Sequence, residues 1–156
     1  METTVSWSGP STDDASSDMM FFARTGSGHL VAMDGAPANS GPDGAGRNLG
    51  GRNLAPRPME MVLAGTGACT AYDVVLILRR GRHDVRRCDV TLKAERADSD
   101  PKVFTKIHFH FVVVGRALKQ ETVERAIRLS HEKFCSATAM LARTAALSHT
   151  FEIREP

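Results

Sequence analysis

The sequence predicts an α+β fold assembled around one long, deeply buried helix. Three observations predict it. Residues 58–78 read PMEMVLAGTGACTAYDVVLIL, and their apolar and small side chains cover most of a helical circumference. A helix apolar all round must be buried on most sides. Residues 88–97 and 103–114 alternate apolar and polar side chains with the period of a strand. Residues 119–134 space their apolar side chains by threes and fours, as an amphipathic helix does. At 1.5 Å per residue the first helix would run roughly 35 Å, about the diameter of a compact domain of this length. One domain can hardly enclose such a helix, so a second subunit is expected to cover part of it.

The 156 residues suit one domain over 1–156, with loops near 8–18 and 35–56. A net charge of +2 argues for neither nucleic acid nor an acidic membrane surface. Arg79, Arg80, Arg82, Arg86 and Arg87 cluster, but a helix end and a solvated turn account for them without a nucleic-acid partner. A membrane span is disfavoured by Glu60 and Asp73, and by Ala64, Gly65, Gly67 and Ala68 at the centre of the long helix. The first residues, METTVSWSG, hold neither a basic segment nor an apolar run. No secretory signal is therefore expected, and a reducing cytoplasm is the expected location. Three cysteines far apart in sequence give no disulfide framework and no paired metal spacing. No cofactor is expected.

In chain order, residues 3–7 predict a short strand. A Ser/Asp/Gly/Pro-rich loop follows over 8–18, then two strands at 19–24 and 30–33 turned at 26–28. Residues 35–56 lack periodicity and contain a near-repeat, GRNLG at 46–50 and GRNLA at 51–55. Either Arg47 or Arg52 is therefore a candidate for any functional arginine there. Pro58 suits a first helical turn, and Gly81, after Arg79 and Arg80, is expected to supply the left-handed stop. On the next strand Cys88, Val90, Leu92 and Ala94 share one face, which makes Cys88 most simply a core residue.

Residues 98–101 form a turn into a strand with Ile107, Phe109 and Phe111 on one face and Lys106, His108 and His110 on the other. The His-x-His spacing lacks a third ligand, so a polar face is expected in place of a metal. Val123, Ala126, Ile127, Ser130 and Phe134 form the stripe of the amphipathic helix. Ser136 is the expected cap of a short following helix, which would put Cys135 at a positive helix end that lowers a thiol pKa. Residues 146–153 close the chain as a strand with Leu147, Phe151 and Ile153 inward.

Four stretches together resemble one family: GSGHLVAMDG from Gly26, RNLAPRPMEMVLAGTGACTAYDVVLILRRGR from Arg52, ERADSDPKVFTKIHFHF from Glu95 and HEKFCSATAML from His131. They are similar to the OsmC/Ohr superfamily of osmotically inducible and organic-hydroperoxide-resistance proteins, and within it to the YhfA-like OsmC proteins. The resemblance implies an intertwined α+β homodimer, with antiparallel sheets packed around a long central helix from each subunit. It implies a two-cysteine peroxidase acting in oxidative and osmotic stress. Cys69 would attack a small organic peroxide, and Cys135 would close a disulfide that a dithiol reduces. It also implies an arginine and a glutamate near the thiolate, matched here by Arg52 (or Arg47 in the other copy of the near-repeat) and Glu60. Ohr-type members place that glutamate ten residues before the first cysteine. Here that position is Met59, and Glu60 lies nine residues before Cys69, roughly half a turn around a straight helix. The Ohr-type C-P-x-S motif is replaced by CSAT.

The chemistry needs more than a thiolate. Lowering a thiol pKa from ~8.5 to ~6 raises the thiolate fraction about 30-fold at pH 7, but the fall in nucleophilicity removes roughly 13-fold. Most of any peroxidase rate must therefore come from groups that orient the O–O bond and stabilise the departing alkoxide. Asp73, one turn after Cys69, would raise its pKa unless engaged elsewhere; a partner for an arginine or an interface contact is its expected role ahead of catalysis. His131, a turn before Cys135, is either a support for that thiolate or a surface residue. A second class of function is a dimeric, non-catalytic binding protein for a small apolar ligand, with Cys69 a structural thiol. A low-pKa Cys69 favours the enzyme, whereas an inert one beside an occupied cleft favours the binder.

Overall fold

Helix α1 spans Pro58–Arg80, and both its ends follow from local chemistry. The Glu60 carboxylate accepts a hydrogen bond from the backbone N–H of Arg57 at 2.9 Å, satisfying one of the donors that a helix start leaves unpaired. At the other end the His83 N–H reaches the Leu78 carbonyl at 3.1 Å and the Arg82 N–H reaches Arg79 at 2.9 Å. This is a Schellman closure. The residue in the left-handed region is Arg82, with φ of 59°, and not Gly81. A Cβ at Gly81 would lie 2.8 Å from Cδ2 of His83, so that ring would have to shift to admit one.

Along α1 the buried residues are Thr66, Gly67, Thr70, Val74 and Leu78, one stripe at helical spacing. A Cβ on Gly67 would meet Cδ1 of Leu92 at 2.6 Å, so the helix backbone seats directly on that side chain. Its own chain covers the other faces unevenly: Met59, Cys69 and Leu76 are half-buried, while Tyr72 is 68% exposed. By length and composition α1 could cross a bilayer. Its Thr70 and Asp73 side chains instead hydrogen-bond Ser130, which marks a helix packed on protein.

The computed structural model describes residues 1–9, 19–37 and 50–156. These divide into two compact units, Met1–Val62 and Leu63–Pro156. In the first, β1 (Thr3–Trp7), β2 (Phe21–Thr25) and β3 (Leu30–Met33) form an antiparallel sheet in that order. The turn between β2 and β3 uses Gly28 at a φ of 87°, its N–H bonded to the Thr25 carbonyl. Ala23 is buried, while Val5, Trp7 and Leu30 are more than half exposed. Most of the loop expected at 8–18, the first copy of the near-repeat up to Leu49, and Arg47 with it lie outside the described residues.

In the second unit β4 (Asp84–Arg96) and β5 (Phe104–Arg116) form the expected antiparallel hairpin. Strand β6 (Ala146–Arg154) then pairs with β5 in parallel, so this sheet is mixed and not wholly antiparallel. The reason is the connection. The chain crosses from β5 to β6 through α2 (Gln120–Leu129), a π-turn (Ser130–Phe134) and α3 (Ser136–Leu141), and a crossover through helices is how parallel neighbours are joined. Phe104, Ile107, Phe109, Phe111 and Val113 of β5 are buried, as are Val123, Ala126 and Ile127 of α2.

Phe134, expected on that stripe, is half exposed. The Cys135 N–H bonds the Ser130 carbonyl, an i→i+5 turn that inserts one extra residue and rotates Phe134 off the stripe. On β5 the half-exposed His108 and His110 engage hydroxyls of β6: His108 bonds Ser148 and Thr150 at 2.8 and 3.0 Å, and His110 bonds Thr150 at 2.9 Å. That is the polar face expected there.

Candidate functional site at Cys69, Asp73 and Cys135

Helix α1 presents Cys69 and Asp73 one turn apart, and the π-turn delivers Cys135 to the same place. The two sulfurs and an Asp73 carboxylate oxygen all lie within 4.8 Å of one another. Cys135 is 2% exposed and Cys69 half-buried. The cap of α3 is Cys135 itself and not Ser136: its Sγ accepts a bond from the Thr138 N–H at 3.5 Å, and its carbonyl accepts from the Thr138 hydroxyl at 2.9 Å. Behind the carboxylate, the buried Ser130 hydroxyl donates to Oδ2 of Asp73 at 3.0 Å and lies 2.9 Å from the Thr70 hydroxyl. Asp73 is thus held by a hydroxyl within its own chain, and among the described residues no arginine pairs with it.

Burial pushes the Cys69 thiol above its ordinary pKa, and hydrogen bonding to Cys135 adds to the rise. The charges of Cys135 and Asp73 act in the same direction, while a bond from the Ala137 N–H opposes them. Low dielectric and adjacent negative charge both disfavour a thiolate, so a cation is needed to offset them at Cys69. Cys88 is half-buried, and burial together with the Asp89 charge pushes it up to about 11. Iodoacetamide at pH 7 should therefore label Cys88 about 20-fold more slowly than a free cysteine, as native-state mass mapping would show: the thiolate fraction falls about 300-fold while the nucleophilicity of what remains rises roughly 13-fold. Labelling at the free-thiol rate would mean that the register of β4 is different.

The family model for OsmC-like proteins matches residues 50–150, the span that carries α1, both site cysteines and most of the mixed sheet. The chain belongs to the OsmC-like family. It is 44% identical over 135 residues to Protein YhfA of Escherichia coli strain K12, an alignment covering 86% of this chain and 90% of that one. A hypothetical protein from Aquifex aeolicus VF5 is 26% identical, with a TM-score of 0.76 over 99% of this chain and 96% of the other. A structure titled as an organic hydroperoxide resistance protein OsmC from Legionella pneumophila superposes with a TM-score of 0.63 at 15% identity, covering 97% of each chain. That likeness is one of fold.

Within this OsmC-like chain the other two expected site residues belong to the first unit. The Arg52 backbone N–H donates to Oδ2 of Asp34 at 3.0 Å, and its positive charge also acts on that carboxylate. Asp34, 2% exposed, accepts further bonds from the Leu54 and Gly35 N–H groups at 2.9 and 2.7 Å. Burial alone would raise its pKa, but the three backbone donors and Arg52 outweigh that and hold it low. Reading the sequence missed Asp34. Its signal was an acid immediately after an apolar strand and before Gly35, where a carboxylate can gather loop N–H groups. Glu60 is exposed and caps α1. On this unbroken helix it lies about 14 Å along the axis and half a turn from Cys69.

His131 is half-buried, and at neutral pH its burial keeps it uncharged. Its ring packs 4.8 Å from that of Phe109 and edge-on to His149 at 5.4 Å, and its Nε2 is buried without a hydrogen-bond partner among the described residues. Burial first, then the charge of His149, lowers its pKa to about 4. The folded chain thus keeps His131 neutral where the unfolded chain, near pKa 6.5, takes up a proton. The stability from a neutral His131 is complete above pH 6.5 and is lost as pH falls towards 4. Between pH 7 and 4.5, His131→Phe should lose about 1–2 kcal/mol less than the native chain in denaturant titrations, after discounting for the ring's partial solvent contact. Equal losses would show that His131 does not carry this acid sensitivity.

Proposed function

We propose that this OsmC-like chain is a cytoplasmic, homodimeric thiol peroxidase that reduces small organic hydroperoxides by a two-cysteine cycle in stress defence. The observation that carries the reading is the approach of the Cys69 and Cys135 sulfurs to within 4.8 Å. The Cys69 thiolate attacks the peroxide oxygen, the O–O bond breaks, and the alkoxide leaves to be protonated as an alcohol. The resulting sulfenic acid at Cys69 is attacked by Cys135, releasing water and forming a disulfide. A dithiol then restores both thiols by exchange and is itself oxidised to a disulfide. Related structures whose titles name organic hydroperoxide resistance proteins support the direction of this reading.

Because burial and Asp73 oppose the thiolate, a cation must answer them and stabilise the departing alkoxide. Arg52, held by Asp34, is the residue assigned that task. A surface depression of about 260 Å³ is lined by Lys93, Glu95 and Lys106 together with the apolar Ala94, Ile107 and Leu147, and does not include Cys69. It lends nothing to a reading as a binder of apolar ligands at that thiol. We read the two units as parts of one OsmC-like domain, 1–156.

The dimer part of the reading is supported by apolar side chains that one chain leaves exposed, among them Val5, Leu30 and Tyr72, the kind of surface that a partner subunit covers. Sedimentation at micromolar concentration should show a dimer and no stable monomer. A folded monomer would remove this part of the proposal. For the activity, stoichiometric cumene hydroperoxide added to the reduced protein should be consumed, leaving one Cys69–Cys135 bridge per chain by mass mapping. Unchanged thiols after peroxide treatment would defeat it.

A further inference from the structure

We infer that Cys69, Cys135 and Asp73 also form a binding site for a thiophilic divalent cation, Zn²⁺, held by two thiolates and one carboxylate with a fourth position left to water. This goes beyond the peroxide reaction and does not depend on it, since it needs only the reduced thiols.

The donor geometry is the first support. The three ligand atoms lie within 4.8 Å of one another. Tetrahedral Zn²⁺, with bonds of about 2.3 Å to sulfur and 2.1 Å to oxygen, needs separations of about 3.8 and 3.6 Å. Side-chain adjustments of about 1 Å close that gap. Two of the donors come from one helical turn of α1, and the third comes from a buried cap whose backbone is fixed by the π-turn, so the set is held by regular elements.

The surroundings are the second. Metal-binding carboxylates are oriented by an outer partner, and here the buried Ser130 hydroxyl donates to Asp73 while pairing with Thr70. Each sulfur also receives a backbone N–H, from Ala137 at Cys69 and Thr138 at Cys135. Among the described residues no ion pair engages Asp73. A site of two thiolates and a carboxylate would carry a charge of −3. Entry of Zn²⁺ with release of the two thiol protons leaves it at −1, the charge of the carboxylate beside two neutral thiols. Two sulfur donors select Zn²⁺ and its heavier congener Cd²⁺ over Mg²⁺ and Ca²⁺. Bound metal and the Cys69–Cys135 disulfide exclude each other, because the disulfide removes both sulfur donors.

The test titrates Cd²⁺ into the full-length, phosphine-reduced protein under anaerobic conditions, reading the ultraviolet thiolate-to-metal band, with Zn²⁺ measured by competition against a chromophoric chelator. The native chain and Cys88→Ser should each bind one Cd²⁺ per chain, undisturbed by excess Mg²⁺. Cys69→Ser and Cys135→Ser should bind more than about 100-fold more weakly, and Ser130→Ala about 10-fold, the lower end of the loss expected for an outer partner. Asp73→Asn should fall between them. The native chain oxidised to the Cys69–Cys135 disulfide, an unsubstituted control for folding, should lose the site. Binding that survives oxidation or Cys69→Ser, or that vanishes with Cys88→Ser, would overturn the inference, as would no binding by the native reduced chain. A protein that binds Cd²⁺ in this pattern yet consumes no hydroperoxide would keep the metal site and lose the peroxidase.

Discussion

Cys69→Ser should abolish hydroperoxide consumption, whereas Cys135→Ser should consume one equivalent and stop. The asymmetry follows from the chemistry of the pair. A serine hydroxyl at position 69 cannot displace alkoxide from a peroxide at neutral pH, so the rate should fall to the uncatalysed background. Without Cys135 the first attack still proceeds, and the sulfenic acid at Cys69 then persists because no sulfur stands beside it to condense. One dimedone adduct per chain, at Cys69, would record it. Native turnover should be slower than that of efficient Ohr-type peroxidases, since Glu60 is committed to the Arg57 N–H. Equal consumption of cumene or tert-butyl hydroperoxide by the native chain and Cys69→Ser would end the peroxidase reading.

The second large effect is expected far from any thiol. Asp34→Ala removes the acceptor of three backbone N–H groups, those of Gly35, Arg52 and Leu54. Bonds to a charged acceptor contribute about 1.5–3 kcal/mol each, and a stranded buried donor costs about 1–3 kcal/mol. With partial rehydration of the loop, a loss of about 3 kcal/mol is expected in denaturant titrations. Asp34→Asn, which keeps one acceptor oxygen, should lose about half of that. If Arg52 acts on the peroxide, both variants should also slow consumption at 25 °C while still folded, because the loop that carries it is no longer pinned. A loss below 1 kcal/mol for Asp34→Ala would mean that the loop is held by other contacts.

Much of the architecture was legible because it rests on period and punctuation. Alternation placed β4 and β5, Pro58 and the Arg79–Arg80 pair bracketed α1, and the Val123–Ala126–Ile127 stripe located α2. What escaped was whatever depends on a single extra residue or on a distant partner. No pattern in SHEKF announces an i→i+5 turn, so Phe134 was assigned inward and the cap to Ser136. The direction of β6 escaped because alternation is the same in parallel and antiparallel strands. The resemblance paired Cys69 with Cys135. The place of Asp73 beside both, with Ser130 behind it, needs coordinates, because its sequence neighbours say only that it follows Cys69 by one turn. Asp34 was overlooked for a related reason: its three donors lie on a segment that carries no periodic signal.

The π-turn at 130–134 has a bearing on which changes of chain length this protein can survive. Removing one residue from SHEKF would let the helix continue with ordinary i→i+4 bonds. Everything beyond would then be carried about 100° around the axis and 1.5 Å along it, taking the second sulfur away from the first. Replacing a residue in that turn with another of similar size leaves the arc intact. Insertions and deletions there, more than substitutions, should therefore separate relatives that keep a coupled thiol pair from relatives in which each cysteine stands alone.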